Sequence, residues 1–166
     1  GASPDAIVRW PDGTVEPLEV KNHAPFANTP SYERAAGAPP LEVRDVGPYN
    51  GVAVWHLPQL YLHMLCLGEK CSSALFMSSS ATRGANLFRV RRDDAVMNSM
   101  LLFIARFNAR HGNGRPPPTP NFMSGVAGYS QFLDRLKRAC REHVQLVAHI
   151  PHDDVQRGHD ARFFAD

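Results

Sequence analysis

Asp5, Glu19 and Lys21 are the residues of this sequence whose types and spacing could do hydrolytic chemistry. Asp5 stands just before the strand-forming run Ala6-Ile7-Val8-Arg9-Trp10, and Glu19 and Lys21 lie in a second run, Val15 to Lys21. Between them, Pro11-Asp12-Gly13-Thr14 carries Asp-Gly, the strongest short-range hairpin signal. A hairpin closing there brings all three charged residues to one edge of a sheet. Two carboxylates converging on a point suit a hard divalent cation such as magnesium, which prefers oxygen ligands and keeps several waters. A lysine two residues from the glutamate projects to the same face, where its ammonium could orient a nucleophilic water or neutralise phosphate charge. The set suits metal-assisted hydrolysis of a phosphodiester. Leu18 and Val20 alternate with this pair, and with those two apolar side chains turned to the core, Glu19 and Lys21 would share the opposite face. Plainer readings exist for each piece: Pro4-Asp5 as a strand-entry turn, and alternating charge as the solvated side of a half-exposed strand.

The elements that must position these residues follow from pattern. Asn22 to about Trp55 is rich in Pro, Ala, Gly and Asn, with a short strand at Leu41 to Arg44 and a Gly47-Pro48 breaker, and reads as a long inserted loop over residues 22–55. A structureless stretch beyond roughly 15 residues is unusual inside a compact domain and is commonly functional. His56 to Leu67 places Leu57, Leu60, Tyr61, Met64, Leu65 and Leu67 on a helical face, with Pro58 in its first turn and Gly68 ending it. Ser73 to Ser79 and Asn86 to Arg92 read as strands joined by a turn near Arg83-Gly84. Asp93-Asp94 opens a helix to about Ala109, its inner side formed by Ala95, Val96, Met100, Leu101, Phe103, Ile104 and Phe107. Residues 111–166 read as a Pro/Gly linker (His111 to Pro120), a helix over Tyr129 to Glu142 with Phe132, Leu133, Leu136 and Ala139 inside, and a polar tail from Pro151. No internal repeat is present. Strand, strand, helix, strand, strand, helix predicts an α/β or α+β mixed sheet with helices packed on it.

The chain's 166 residues, 43% hydrophobic and 20% charged, predict one domain spanning 1–166. A formal charge of +2 excludes a uniformly basic nucleic-acid coat, so any anion-binding face must come from local clustering. Cys66, Cys71 and Cys140 are an odd number without a CxxC pair, which argues against a disulfide framework or a four-thiolate zinc site and for an intracellular, reducing compartment. No apolar run is long enough for a membrane span and no signal peptide is evident. The first residues, Gly-Ala-Ser-Pro, lack an initiator Met and lead almost directly into a strand, as expected of an N-terminally truncated excerpt from a larger parent protein.

Ser3-Pro4-Asp5 followed by Leu18-Glu19-Val20-Lys21 resembles the PD-(D/E)xK nuclease superfamily. Gln59-Leu60-Tyr61-Leu62-His63-Met64-Leu65 looks like the glutamine-bearing helix of the YqaJ-type, lambda-exonuclease-like viral recombinase nucleases, and the following strand, strand, Arg91-Arg92-Asp93-Asp94 and long helix keep that group's order. The resemblance covers Ser3 to Lys21 and about Trp55 to Asn108. It implies a restriction-endonuclease-like mixed sheet flanked by helices and a metal-dependent DNA nuclease, exo- or endonucleolytic, of recombination or repair, which could form a homo-oligomer. It further implies that Asp5 and Glu19 bind Mg2+ or Mn2+ with the Val20 carbonyl as an extra ligand, that Lys21 positions the attacking water, and that Gln59 orients Lys21 or the scissile phosphate. Three departures stand out: the sequence starts too late to contain the helical glutamate this group carries upstream of Pro-Asp, so that either the excerpt cuts that helix off or the site is incomplete; Ala6 replaces a frequent glycine; and the 22–55 insert could reshape a DNA channel. A catalytically inactive nuclease-fold module binding nucleic acid or a protein partner is the alternative, and an unrelated α+β domain with accidental motifs is the third reading.

Arg83, Arg89 and Arg91, with Arg92, cluster around the second strand pair and could contact DNA phosphates; a charge-protected edge strand explains them equally. Gln59 and His63 are four apart, but glutamine is a poor zinc ligand, so His63 reads as structural. His149, His152 and His159 with Asp153, Asp154 and Asp160 read as a solvated, mobile end. Arg135, Lys137, Arg138 and Arg141 form an ordinary solvated helix face, the cysteines read as core thiols, and Ser78-Ser79-Ser80 lacks nucleophile-elbow glycines.

Overall fold

The computed structural model describes residues 2–23, 26–28, 41–43, 47–112, 123 and 125–154. β1 (Ala6–Arg9) and β2 (Val15–His23) form the expected hairpin. Its turn is held by Gly13 N–H donating to the Trp10 carbonyl (3.0 Å) and by the Asp12 carboxylate accepting from the Thr14 amide (2.9 Å) and hydroxyl (2.7 Å). Gly13 takes φ 83°, a left-handed conformation that a side chain would disfavour. A 3-10 turn (Val54–His56) leads into α1 (Leu57–Leu67), which returns the chain so that β5 (Ser73–Ser80) pairs parallel with β2. β6 (Gly84–Arg91) pairs antiparallel with β5, and α2 (Asp94–His111) follows, its first turn capped by the Asp93 carboxylate accepting from Val96 N–H (3.0 Å). α3 (Tyr129–Glu142) and β7 (Val144–Ile150) complete a five-stranded sheet of order β1-β2-β5-β6-β7. The class is α+β, a mixed sheet flanked by helices, as expected.

All three long helices gather on one side of the sheet. Leu57, Leu60, Tyr61 and Met64 of α1 pack with Ala74 and Phe76 of β5, Phe88 and Val90 of β6, Met97, Met100 and Phe103 of α2, and Phe132, Leu136 and Ala139 of α3. Full burial of such side chains contributes about 1.5–3 kcal/mol each, so this layer is what holds the sheet's helix side rigid.

Several expectations are corrected. Glu19 and Lys21 do share a face, but it is the helix-covered one; Leu18 and Val20 lie on the other side, only half buried. The choice of face follows from α1, whose Gln59 and His63 meet Glu19, whereas alternation alone fixes only which residues go together. Residues 22–55 are not all loop: Asn22 and His23 continue β2 against Ser79 and Ser80, and β3 (Phe26–Asn28) pairs with β4 (Leu41–Val43). β7 has no counterpart in the pattern reading, and it places His149, still solvent-exposed as expected, in a strand rather than a tail; His152, Asp153 and Asp154 form a helical turn, and His159 and Asp160 lie outside the described residues, as does the linker over 113–120. In α2 the buried stripe is Val96, Met97, Met100 and Phe103, while Leu101, Leu102 and Ile104 face outward. Cys71 is buried, but Cys66 is exposed and is no core thiol. Among the described residues, no helix is long and apolar enough to cross a membrane.

Candidate active site at the Glu19 end of the sheet

Asp5 precedes the Ala6–Leu18 pair of the hairpin. Its backbone amide donates to the Leu18 carbonyl (3.0 Å) and its carboxylate accepts from the Val20 amide (2.7 Å), so Asp5 brackets Glu19 from the neighbouring strand. Glu19 is 4% exposed. One carboxylate oxygen, Oε1, accepts from Gln59 Nε2 (2.7 Å) and forms the ion pair with Lys21 Nζ. The other, Oε2, is buried without a hydrogen-bond partner and faces His63 Nδ1, itself buried and unpartnered, at 3.9 Å. Gln59 and His63 reach the same carboxylate because residues four apart share one helix face.

Asp5, Glu19, Lys21 and Gln59 are thus brought together from β1, β2 and α1. Val20 joins through its amide. Lys21 keeps a third of its side chain exposed, so its ammonium is reachable from solvent while tied to Glu19. Burial holds the His63 imidazole below its usual range against the opposing pull of Glu19 and Asp5, and burial, with Lys21 and His23, does the same to His56 against Glu19. Both rings are therefore biased toward the neutral form. Two carboxylates, one with an oxygen left unpartnered, fit a hard cation that completes its shell with water. Among the described residues, no three His, Cys, Asp or Glu side chains stand close enough to enclose a metal ion unaided.

A polar row borders this centre. The register aligns Lys21 with Ser78, Ser78 with Asn86 and Asn86 with His149, one residue from each of β2, β5, β6 and β7. His149 Nδ1–H donates to Asn86 Oδ1 (2.7 Å), Asn86 Nδ2 donates to the Tyr49 carbonyl (2.8 Å), and the Tyr49 amide donates to Ser78 Oγ (2.9 Å), which shares a hydrogen bond with His23 Nε2 (2.9 Å). The Tyr49 ring meets His23 edge to face at 4.2 Å between centroids. His56 packs on Phe76 at 5.0 Å, and beside it Trp55 leaves 73% of its surface in solvent.

The arginines sit elsewhere. Arg89 and Arg91 share a face of β6, as alternation predicts, but Arg89 makes a two-pronged contact to Glu16 (Nε to Oε1 2.7 Å, Nη2 to Oε2 3.0 Å) on the sheet side away from α1. Glu16 also accepts from Ser73 Oγ (2.5 Å) and Trp10 Nε1 (2.7 Å). Arg91 donates to the Glu142 carbonyl (2.9 Å), Arg92 pairs with Asp94 (2.7 Å), and Arg83 lies in the β5–β6 turn against Gly47.

The pattern reading misses His23, Tyr49, His56, Ser78, Asn86 and Trp55 around the centre, and Glu16 on the other side. His23 was accessible to it, since period two carries Glu19 and Lys21 on to residue 23. Tyr49 had no signal, because its hydrogen bonds are made by backbone groups and its ring meets His23 across twenty-six residues of chain. Comparison with protein-family models, with curated proteins and with solved structures finds no match, so function rests on the geometry of this site.

Proposed function

We propose that the chain is a metal-dependent DNA nuclease of the PD-(D/E)xK kind, similar to the lambda-exonuclease-like group. The observation that carries this reading is the convergence of Lys21 and Gln59 on the Glu19 carboxylate, with the Asp5 carboxylate held on the adjacent Val20 amide. Asp5 and Glu19 are the residues to hold Mg2+ or Mn2+, with the Val20 carbonyl beside them. A divalent cation bound there supplies polarisation of the phosphate and a lowered pKa for water. Gln59 fixes the Glu19 carboxylate, so that Oε2 rather than Oε1 is left for another ligand. The Lys21 ammonium, held by Glu19 and partly in solvent, aligns the water for in-line attack and offsets charge on the phosphate. Three free thiols suit a reducing intracellular compartment.

The test is cleavage of linear and circular duplex DNA with Mg2+ by the chain and by its Asp5→Ala and Glu19→Gln variants. Metal-dependent cleavage should fall by at least ~100-fold in both, with DNA binding kept. Undiminished cleavage in both variants overturns the reading. DNA binding without cleavage by the unaltered chain would assign it instead as an inactive nuclease-fold module.

A further inference from the structure

We propose that His63 supplies a nitrogen ligand to the Glu19 centre, which makes it a site for a first-row transition ion such as Mn2+ in preference to Mg2+. The inference rests on the reading that Glu19 holds a cation; Asp5, Glu19 and His63 do not stand close enough to enclose an ion by themselves, so Asp5 reaches it through water. Its starting point is the pair of buried atoms that face each other without partners, Glu19 Oε2 and His63 Nδ1, 3.9 Å apart. Both residues are at least nine-tenths buried, Glu19 at 4% and His63 at 2% exposure. A purely structural histidine in such a place ordinarily gives its ring nitrogen a carbonyl or carboxylate partner, because an unpaired buried polar group is costly. Here the nearest carboxylate oxygen is beyond hydrogen-bonding range.

The gap suits a shared cation. With metal–ligand bonds near 2.1 Å, two ligands on one ion lie about 3.0 Å apart at right angles and about 4.2 Å apart when opposite. The observed separation of 3.9 Å falls between these limits. Glu19 cannot turn its other oxygen to the task, because Oε1 is taken by Gln59 and Lys21.

The consequence is selectivity. Mg2+ takes oxygen donors in near-ideal octahedra, whereas an imidazole nitrogen is a borderline donor suited to transition ions. An all-oxygen centre on the same strand pair would have no such bias.

The full chain is titrated with Mn2+ alone and with Mg2+ as competitor, and the bound Mn2+ is examined by pulsed electron paramagnetic resonance. Unaltered protein should show coupling to a histidine 14N nucleus, replaced by 15N coupling after histidine labelling. His63→Gln should lose that coupling and weaken Mn2+ at least ~10-fold while moving Mg2+ affinity less than ~3-fold. Mn2+ bound without nitrogen coupling, or coupling that persists in His63→Gln, overturns the inference. Should His63→Gln not fold, the labelled unaltered protein decides alone. Mn2+ binding that Glu19→Gln abolishes, but that carries no nitrogen signal, removes the His63 ligand and leaves the metal reading standing. No Mn2+ binding at all removes both.

Discussion

Glu16 and Glu19 stand three residues apart on β2, equally buried at 4% exposure, yet they face opposite sides of the sheet with opposite hydrogen-bond states. Both oxygens of Glu16 are occupied, by Arg89, Ser73 and Trp10. Glu19 keeps Oε2 unpartnered. A saturated buried carboxylate has no capacity left for a ligand, so Glu16 reads as a structural tie and Glu19 as the group held ready.

The Glu16–Arg89 tie should be measurable as stability. Glu16→Ala should cost about 2–3 kcal/mol in urea unfolding, below the ~3–5 kcal/mol of a fully buried pair, because the Arg89 side chain is 37% exposed. Combined with Arg89→Ala, the loss should be less than additive. A loss under ~0.5 kcal/mol for Glu16→Ala would show that the tie is not structural.

Stability should fall on acidification in two separable limbs. Burial raises the Glu16 carboxyl, but the bonds from Arg89, Ser73 and Trp10 and the Arg89 charge outweigh it and hold the group below its usual 4.5. The unfolded chain then takes up this proton first, so the contribution is complete above pH 4.5 and drains as pH falls through the lower folded value. His56 is held below 6.5, chiefly by burial and further by Lys21 and His23, with Glu19 opposing, so its contribution begins to drain as pH falls below 6.5. Glu16→Gln should flatten the more acidic limb, and His56→Phe should make the other shallower, with His63, also held below 6.5 by burial, carrying the rest of it, read as unfolding free energy against pH.

Trp55 should contribute affinity if single-stranded DNA reaches the Glu19 end. Its indole is 73% exposed beside His56, and stacking of one base on an aromatic is worth about 1–3 kcal/mol. Trp55→Ala should weaken binding roughly 5- to 150-fold in fluorescence anisotropy, with Trp55→Phe retaining most of it and neither altering the urea midpoint. Unchanged affinity in Trp55→Ala would place the DNA path elsewhere.

Gly84 should tolerate no side chain. Its φ is 80°, and an added Cβ would lie 2.1 Å from the Ile150 carbonyl oxygen and 2.8 Å from the His152 nitrogen. Gly84→Ala should destabilise by at least ~2 kcal/mol, through left-handed strain plus displacement of β7. Thermal unfolding of this variant near that of the unaltered chain would contradict the close approach.

Local signals carried most of the framework. Asp12-Gly13 marks the hairpin, Pro58 and Gly68 bound α1, and Asp93 caps α2, because each acts within a few residues of itself. What alternation left open was which side of β2 the helices would cover, since period two is symmetric; the answer lies in Gln59 and His63, forty or more residues away. β7 escaped because Val144 to Ile150 is half exposed and interrupted by Gln145 and His149, and its pairing partner β6 is distant in sequence. Glu16 went unread because nothing near it in sequence announces Arg89 across the sheet.

The polar row that ends in His149 ties the order of synthesis to the state of the Glu19 end. A nascent chain that has emerged only through Glu142 already contains Asp5, Glu19, Lys21 and Gln59, but Asn86 lacks its His149 partner and β6 is a bare edge. β7 is the last strand of this sheet to be made, and its docking covers that edge and completes the network that pins Tyr49 against His23. Interrupted translation would thus yield a chain carrying every acidic and basic member of the centre on an unfinished support, exposed to edge-to-edge association before its sheet is closed by β7.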